Sequence, residues 1–292
     1  MPQSSQHSPL SPAPRMLALA AAAVAATVLS GCATLAFDEP PPGTRKQTVF
    51  AVTEDHVLLR FNAGSPRQMQ QRQALAGMPA GETIVGIDFR VARGVLYGVT
   101  SAGRVVTIDT STAQVRTVGA GPAVALQGNR FGVDFNPVAD RIRVVSDTGQ
   151  NLRLHPDTGA LAATDPALIA PAGSSAANVA GAGYTYNKRD DKLTTNFAID
   201  IGRGWLLTQG SVEARDPVVS PNTGRLFDVG ALGTGPLEDA SFDIADTDNT
   251  ALAALRKDGR TRLYLVDLAG GKATLLGTVD GGRALRGIAI EP

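Results

Sequence analysis

A four-residue pattern that recurs along the chain constrains the fold more than any other feature of this sequence. Each copy has a small residue, an apolar residue, a polar or small residue and a second apolar residue, as in Gly132-Val133-Asp134-Phe135. The copies begin at Gly86, Gly132, Gly183, Ser241 and Gly287. Their spacing, roughly 45 to 60 residues, is typical of propeller blades and too long for most solenoids.

Three further segments accompany each copy and indicate a unit of four strands. A β-branched and apolar run is found at residues 48–53, 96–100, 142–146, 193–200 and 252–256. A turn that contains Gly or Asp joins this run to a third segment, and a turn of short polar residues leads to a fourth. Short runs joined by such turns are typical of antiparallel hairpins, so each unit predicts four antiparallel strands.

The phase of the repeat predicts an all-β, five-bladed β-propeller in which the C-terminal strand completes the first blade. The domain starts on a second strand, at residues 48–53, and stops just after a first strand, at residues 287–290. Pairing of these two segments would remove a free sheet edge. A stack of unrelated hairpins is the alternative, and the fourth unit, stretched by residues 213–221, favours it. Residues 65–78 are the one helix candidate, which we interpret as a long loop or a poorly formed outer strand.

The N-terminal residues have the layout of a signal peptide. A polar, proline-rich start is followed by Arg15 and by an apolar run over residues 16–29. The run is shorter than the roughly 20 residues that a membrane-spanning helix needs. Leu29-Ser30-Gly31-Cys32 resembles the lipobox of bacterial lipoproteins, in which the cysteine is acylated and begins the mature chain. The alternative is a stray thiol inside a removed signal.

These features predict three segments: a lipoprotein signal peptide at 1–31, a lipid-bearing Cys32 with a stiff tether at 32–47, and one propeller domain at 48–292. Cys32 is the single cysteine of the chain, so no intramolecular disulfide can form. We expect a lipid-anchored protein of the cell envelope. In a Gram-negative organism the resemblance implies the outer membrane, facing the periplasm or the cell exterior.

The third unit carries the closest resemblance to a known family. Its segment 130–159 contains the strings FGVDFNP, DRIRVVS and GQNLR. With the repeated Gly-x-Asp-Phe strands, these resemble a bacterial extracytoplasmic domain family of unknown function. The resemblance covers residues 48–290, and it implies a propeller-like exported protein without implying any reaction.

Three carboxylates occupy the polar position of the recurring pattern and form a candidate metal site. Alignment of the five copies places Asp88, Asp134 and Asp243 in one column with Thr185 and Ala289. First strands line the channel of a propeller, and converging oxygen ligands suit Ca²⁺ or Mg²⁺. The alternative is that each Asp accepts backbone N–H groups from the neighbouring blade. No cofactor is required by any other feature of the sequence.

The third unit also holds a candidate ligand-binding cluster. The planar guanidinium and amide groups of its arginines and asparagines can bind a carboxylate, sulfate or phosphate on a ligand. Nearby aspartates equal the arginines in number, so ordinary ion pairs between strands are the alternative. The cluster consists of Asn136, Arg141, Arg143, Asn151 and Arg153.

Composition narrows the function classes. The 27 basic and 27 acidic side chains give no net charge, which excludes a nucleic-acid partner bound through bulk charge. No recognisable catalytic or phosphate-binding string is present. We therefore favour a non-enzymatic binding or scaffold module for a protein, glycan or small ligand. A metal-dependent hydrolase of the propeller lactonase type and a purely structural envelope protein are the alternatives.

Overall fold

The structure is a computed structural model that describes residues 1–2, 39–122, 124–174 and 176–292. Cys32 and the predicted signal segment from residue 3 onward lie outside the described residues. Within the described part the chain forms five antiparallel sheets of four strands each. No described helix is long and apolar enough to cross a bilayer.

The strands follow one another in blade order. The first blade contains β1 (Thr48–Thr53), β2 (Val57–Asn62) and β3 (Met69–Ala74). The second contains β4 (Ile84–Arg90), β5 (Val95–Thr100), β6 (Val105–Ile108) and β7 (Val115–Thr117). The third contains β8 (Phe131–Asn136), β9 (Arg141–Ser146), β10 (Asn151–Leu154) and β11 (Leu161–Thr164). The fourth contains β12 (Val179–Tyr184), β13 (Asn196–Asp200), β14 (Trp205–Gln209) and β15 (Leu226–Ala231).

The fifth blade contains β16 (Asp239–Ile244), β17 (Ala251–Lys257), β18 (Arg260–Val266) and β19 (Ala273–Thr278). It is followed by the last strand, β20 (Leu285–Ile290). Three single-turn 3₁₀ helices cover Val91–Arg93, Pro221–Thr223 and Asp280–Gly282.

The last strand closes the ring by joining the first blade. The first sheet has the order β20-β1-β2-β3, and Val49 pairs with Ile290 while Ala51 pairs with Ile288. The innermost strands β20, β4, β8, β12 and β16 each contact the equivalent strand of the next blade. The predicted five-bladed propeller, closed by its C-terminal strand, is therefore confirmed.

Apolar side chains on the faces of neighbouring blades build a core at every junction. The innermost strands are buried on both faces, so they consist almost entirely of small and apolar residues, as in β12, where all six residues are buried. Edge-to-face ring pairs mark two junctions: Phe50 with Phe89 at 5.7 Å, and Tyr97 with Phe135 at 5.2 Å between centroids. The junction between the third and fourth blades has the smallest apolar cluster, with six fully buried residues.

The small residue of the recurring pattern exists because inner strands approach closely. A Cβ on Gly132 would lie 2.7 Å from the backbone nitrogen of Ala182, and one on Gly287 would lie 2.8 Å from that of Ile87. These distances are shorter than carbon and nitrogen atoms tolerate without a shift of one strand. Glycine at this position therefore sets the distance between neighbouring blades.

The fourth copy of the pattern begins two residues earlier than the sequence predicts. The amide N–H of Tyr184 donates to Asp134 Oδ2, as the N–H of Phe135 donates to Asp88 Oδ2, so Tyr184 stands at the last position of the pattern. The copy is thus Gly181-Ala182-Gly183-Tyr184, and Gly183 rather than Thr185 stands at the Asp position. A shift of two residues keeps the same faces inward, because side chains alternate along a strand, so the pattern alone does not distinguish the two registers.

Two predictions about the first blade have clear outcomes. The segment 65–78 contains the outer strand β3 and no helix, in agreement with the expectation of an outer strand. The final residues of the predicted tether pack on the propeller: the amide N–H of Arg45 donates to Asn62 Oδ1 at 2.9 Å, and the side chain of Glu39 contacts Thr278. The described residues 39–47 accordingly belong to the same compact unit as the propeller.

We expect the substitution Gly132→Ala to lower the free energy of unfolding by about 1–3 kcal/mol, because the methyl group would push β8 away from β12. Gly121→Ala is the matched control, since nothing lies within 4 Å of the position of its Cβ. Urea unfolding of both variants measures the difference. A Gly132→Ala variant as stable as the wild type would contradict the close approach of the two strands.

Candidate functional site

The three predicted carboxylates converge at the centre of the ring and form what we term the carboxylate triad. Asp88 lies on β4, Asp134 on β8 and Asp243 on β16. All three side chains are buried, and an oxygen of each lies within 4.8 Å of the others. The repeat of the sequence therefore does bring them together, as predicted from their alignment.

Each carboxylate of the triad bonds to the next blade. The amide N–H of Phe135 donates to Asp88 Oδ2 at 2.7 Å, and the N–H of Tyr184 donates to Asp134 Oδ2 at 2.8 Å. Asp243 Oδ2 accepts the N–H of Ile290. These contacts tie the second blade to the third, the third to the fourth and the fifth to the first.

The remaining acceptor capacity of the triad is also largely used. Asp88 Oδ1 accepts the N–H of Phe89 at 2.7 Å, and Asp243 Oδ1 accepts that of Ile244 at 2.6 Å. Oxygens of Asp88 and Asp134 lie within 4.8 Å of each other, and the repulsion between two buried carboxylates favours a proton on one of them. The arrangement thus matches the alternative in which the aspartates bind neighbouring blades, and a cation would have to compete with N–H groups and a proton.

Burial and mutual repulsion favour the neutral forms of the triad. Burial first, and the nearby Asp243 charge second, raise the pKa of Asp88 well above its ordinary value. Burial and the charges of the other two aspartates raise the pKa of Asp134 in the same direction. Burial raises the pKa of Asp243 to about 6. The same buried charges, together with burial, raise the pKa of Tyr186.

Three of the five predicted ligand-binding residues meet in a buried network between the third and fourth blades. Arg143 is fully buried and donates Nε to Tyr184 Oη at 2.7 Å. Its Nη1 donates to Asn151 Oδ1 at 2.5 Å and to Asp165 Oδ2 at 3.1 Å, and its Nη2 donates to Asn222 Oδ1 at 2.6 Å. All three guanidinium nitrogens therefore have partners in the protein.

Arg153 joins the same network from the solvent side. Its Nε and Nη2 donate to the two oxygens of Asp165 at 2.9 and 2.8 Å, in a bidentate pair. Asp165 thus balances two guanidinium groups with one carboxylate. Gln209 of the fourth blade donates Nε2 to Asn151 Oδ1 at 3.1 Å, which extends the network across the junction.

The other two predicted residues have local roles. Asn136 Oδ1 accepts the N–H groups of Val138 and Ala139 at 2.9 Å, which stabilises the turn between β8 and β9. Arg141 donates Nη1 to the carbonyl oxygen of Asp140 at 2.8 Å. Arg141 and Arg143 share a face of β9, as predicted, but Arg141 at the strand end is only half-buried.

Asp165, Tyr184 and Asn222 are network residues that the sequence analysis missed. Asp165 follows β11, and its carboxylate is the acidic partner that the arginines of the third unit require. Asp140 and Asp157, which lie in that unit, instead pair with Arg90 of the second blade. The pKa of Arg90 is raised by these two carboxylates. Equal numbers of acids and arginines indicated ion pairs without indicating which blades they join.

A cavity of about 270 Å³ opens above this network. Its walls come from the turn between β8 and β9, from residues 192–194 before β13, and from the loop 211–222 between β14 and β15. Asn136 and Arg153 line it, as do Lys192, Glu213 and Asn222. The extra residues of the fourth unit therefore build a wall of this cavity.

A match to a known protein family tests the resemblance that the sequence of the third unit suggests. Residues 57–289 match the family described as "Domain of unknown function (DUF4394)". The chain belongs to this family. Membership confirms the resemblance to a domain family of unknown function and assigns no reaction. No curated protein sequence matches the chain.

Solved structures similar to this member of the family have low sequence identity. The dihydro-heme d1 dehydrogenase NirN in complex with DHE has 15% identity and a TM-score of 0.39 over 83% of this chain. The chain spans 46% of the length of that protein. Glutaminyl cyclase from Myxococcus xanthus has 15% identity and a TM-score of 0.45, with 72% of this chain and 83% of that chain covered.

A putative 6-phosphogluconolactonase from Bacteroides uniformis has 12% identity and a TM-score of 0.41, with 80% of this chain and 82% of that chain covered. Similarity at this level carries no functional inference for the family member described here.

The triad predicts a specific pH dependence of stability. Folding raises the pKa of Asp243 from 3.8 to about 6. The protonated carboxyl group of Asp243 therefore stabilises the folded protein fully below about pH 4, and this stabilisation is lost as the pH rises through about 6. The stability difference between the wild type and Asp243→Asn should therefore shrink by on the order of 3 kcal/mol between pH 4 and pH 7. Denaturant unfolding across this pH range measures it.

Asp258→Asn is the matched control, because Asp258 is exposed on the same blade, and its difference from the wild type should not change with pH in this way. A difference for Asp243→Asn that grows from pH 4 to pH 7 would show that the ionised triad is stabilised in the folded protein, contrary to this prediction.

Proposed function

We propose that this propeller is a lipid-anchored binding module of the bacterial cell envelope that holds a small ligand in the cavity between its third and fourth blades. The observation that carries the proposal is the concentration of exposed apolar side chains at this cavity. Three of the six large exposed apolar residues among those described line it: Val138, Val212 and Val218. Exposed apolar groups that cluster around a concave site are typical of binding surfaces.

The surroundings of the cavity support binding by a preorganised site. Two of its lining residues, Arg153 and Asn222, are held by the buried Arg143 network, in which each guanidinium nitrogen of Arg143 is already bonded. A rigid lining lowers the conformational entropy that a ligand must overcome on binding. Two larger cavities, of about 390 and 570 Å³, lie along single blades and lack a comparable group of exposed apolar side chains.

The proposed lipid anchor at Cys32 is supported by the sequence alone. The packing of residues 39–47 on the propeller limits which blades could lie near the membrane. Cys32 precedes Glu39 by seven residues, which span at most about 25 Å when extended. Glu39 contacts Thr278 on β19, at the outer side of the fifth blade. A lipid on Cys32 would therefore hold the fifth and first blades near the membrane surface, on the periplasmic or the outer side of an outer membrane.

A second candidate function, a propeller hydrolase that uses Ca²⁺ or Mg²⁺, is favoured by one observation, the convergence of Asp88, Asp134 and Asp243. The backbone N–H groups that already donate to these carboxylates weigh against it. A bound divalent cation would keep the triad ionised, so stability would rise with pH instead of falling. If the cavity binds no ligand, the alternative is a purely structural role in the cell envelope.

The cavity is expected to bind the neutral amphiphile 1-octanol at one saturable site. The test uses the full chain with Cys32→Ser, which lacks the thiol that would be acylated, in a calorimetric titration. Val218→Asp should weaken binding roughly tenfold, because it removes apolar contact area and adds a charge. Ile169→Asp is the control, since Ile169 is exposed and does not line the cavity. Equal losses for both variants would place the bound molecule elsewhere.

Substitution of Cys32 by serine is expected to move the protein from the membrane fraction to the soluble fraction of the envelope, or to block its processing, because a hydroxyl is not acylated at this position. Cell fractionation and incorporation of labelled palmitate measure the change. Ser30→Ala is a control that keeps the thiol. A Cys32→Ser protein that stays membrane-bound and labelled would contradict the lipid anchor.

A further inference from the structure

We propose that the ligand of the cavity between the third and fourth blades is a small monoanion, a carboxylate carried on an apolar body. This inference rests on the proposed function and specifies its ligand class. Three features of the cavity carry it: an excess of positive charge, hydrogen-bond donors without acceptors, and the apolar rim.

The charges at the cavity do not balance. Arg153 lines the cavity, and it shares the single carboxylate of Asp165 with the buried Arg143, so one positive charge of this network is not neutralised. Lys192 adds a second positive charge to the lining, and Glu213 supplies its one negative charge. The lining therefore carries an excess of one positive charge. One bound anion would neutralise the excess.

Hydrogen-bond donors at the cavity wall lack acceptors in the part of the chain that the structure describes. Arg153 uses Nε and Nη2 on Asp165, and its Nη1 has no partner there. Asn222 accepts from Arg143 through Oδ1, which leaves its Nδ2 for another group. The acceptors are already used, because Glu213 receives the hydroxyl of Thr185 at 3.1 Å and the amide of Asn187. Donors in excess select a ligand that presents oxygen acceptors.

The number of charges and the rim decide which anion fits. An excess of one positive charge matches a monoanionic carboxylate better than a phosphate dianion, whose second charge would have no partner. Val138, Val212 and Val218 offer apolar area that an inorganic anion would leave exposed to water. A carboxylate on an alkyl body satisfies the donors and covers the valines together.

Octanoate and 1-octanol form a matched pair for the test, because they share an alkyl chain and differ in charge. Both are titrated calorimetrically into the full chain that carries Cys32→Ser, at pH 7 and low ionic strength. We expect octanoate to bind at least roughly tenfold more tightly than 1-octanol, as charge-assisted hydrogen bonds favour it. Inorganic phosphate should displace octanoate poorly.

A variant pair assigns the effect to the cavity. Lys192→Gln should weaken octanoate binding roughly two- to fivefold, as expected for an exposed charge, and should weaken 1-octanol binding by a smaller factor. Lys188→Gln is the control, because Lys188 is an exposed lysine that does not line the cavity. Equal weakening by the two substitutions would overturn the inference, since the charge effect would then be nonspecific.

The remaining outcomes separate this inference from the proposed function. Equal affinities for octanoate and 1-octanol, or tight displacement by phosphate, would overturn the monoanion inference and leave a binding cavity. Absence of saturable binding for both amphiphiles would overturn the proposed function and the inference with it.

Discussion

Antiparallel pairing between β20 and β1 is the interaction on which the rest of the molecule depends. It converts five consecutive sheets into a ring, so that every inner strand has a neighbour on both sides. Without it, β1 would present an unpaired edge and the fifth and first blades would lose their shared apolar core. Both candidate sites lie where blades meet, so both exist only because the ring is closed.

The sequence predicted the repeat well, but it predicted poorly which side chains contact each other between neighbouring blades. Alternating burial and turn residues are local signals, and they were sufficient for the blade number, the strand phase and the convergence of Asp88, Asp134 and Asp243. The register of the fourth copy was misjudged by two residues, because Gly181 and Gly183 lie on the same face of β12 and both precede an apolar residue. The hydrogen bond from the Tyr184 N–H to Asp134 distinguishes the two registers.

The network around Arg143 shows why the second site was only partly predictable. Arg143, Asn151 and Arg153 lie on adjacent strands of one blade, so their proximity follows from hairpin register. Tyr184 and Asn222 belong to the next blade, and their contacts depend on the angle and spacing between blades. The loop 211–222 appeared in the sequence as an irregularity of the repeat, whereas in the fold it supplies a wall of the cavity.

The carboxylate triad ties three of the five junctions and leaves two without a buried carboxylate, because Gly183 and Ala289 stand where an aspartate would reach the fifth and second blades. The two untied junctions have large apolar clusters, whereas the junction between the third and fourth blades has a small one together with its tie and its polar network. Apolar packing weakens on cooling, and ionisation of the triad places mutually repelling charges in the buried centre of the ring. Cold and alkali should therefore loosen different sides of the same ring.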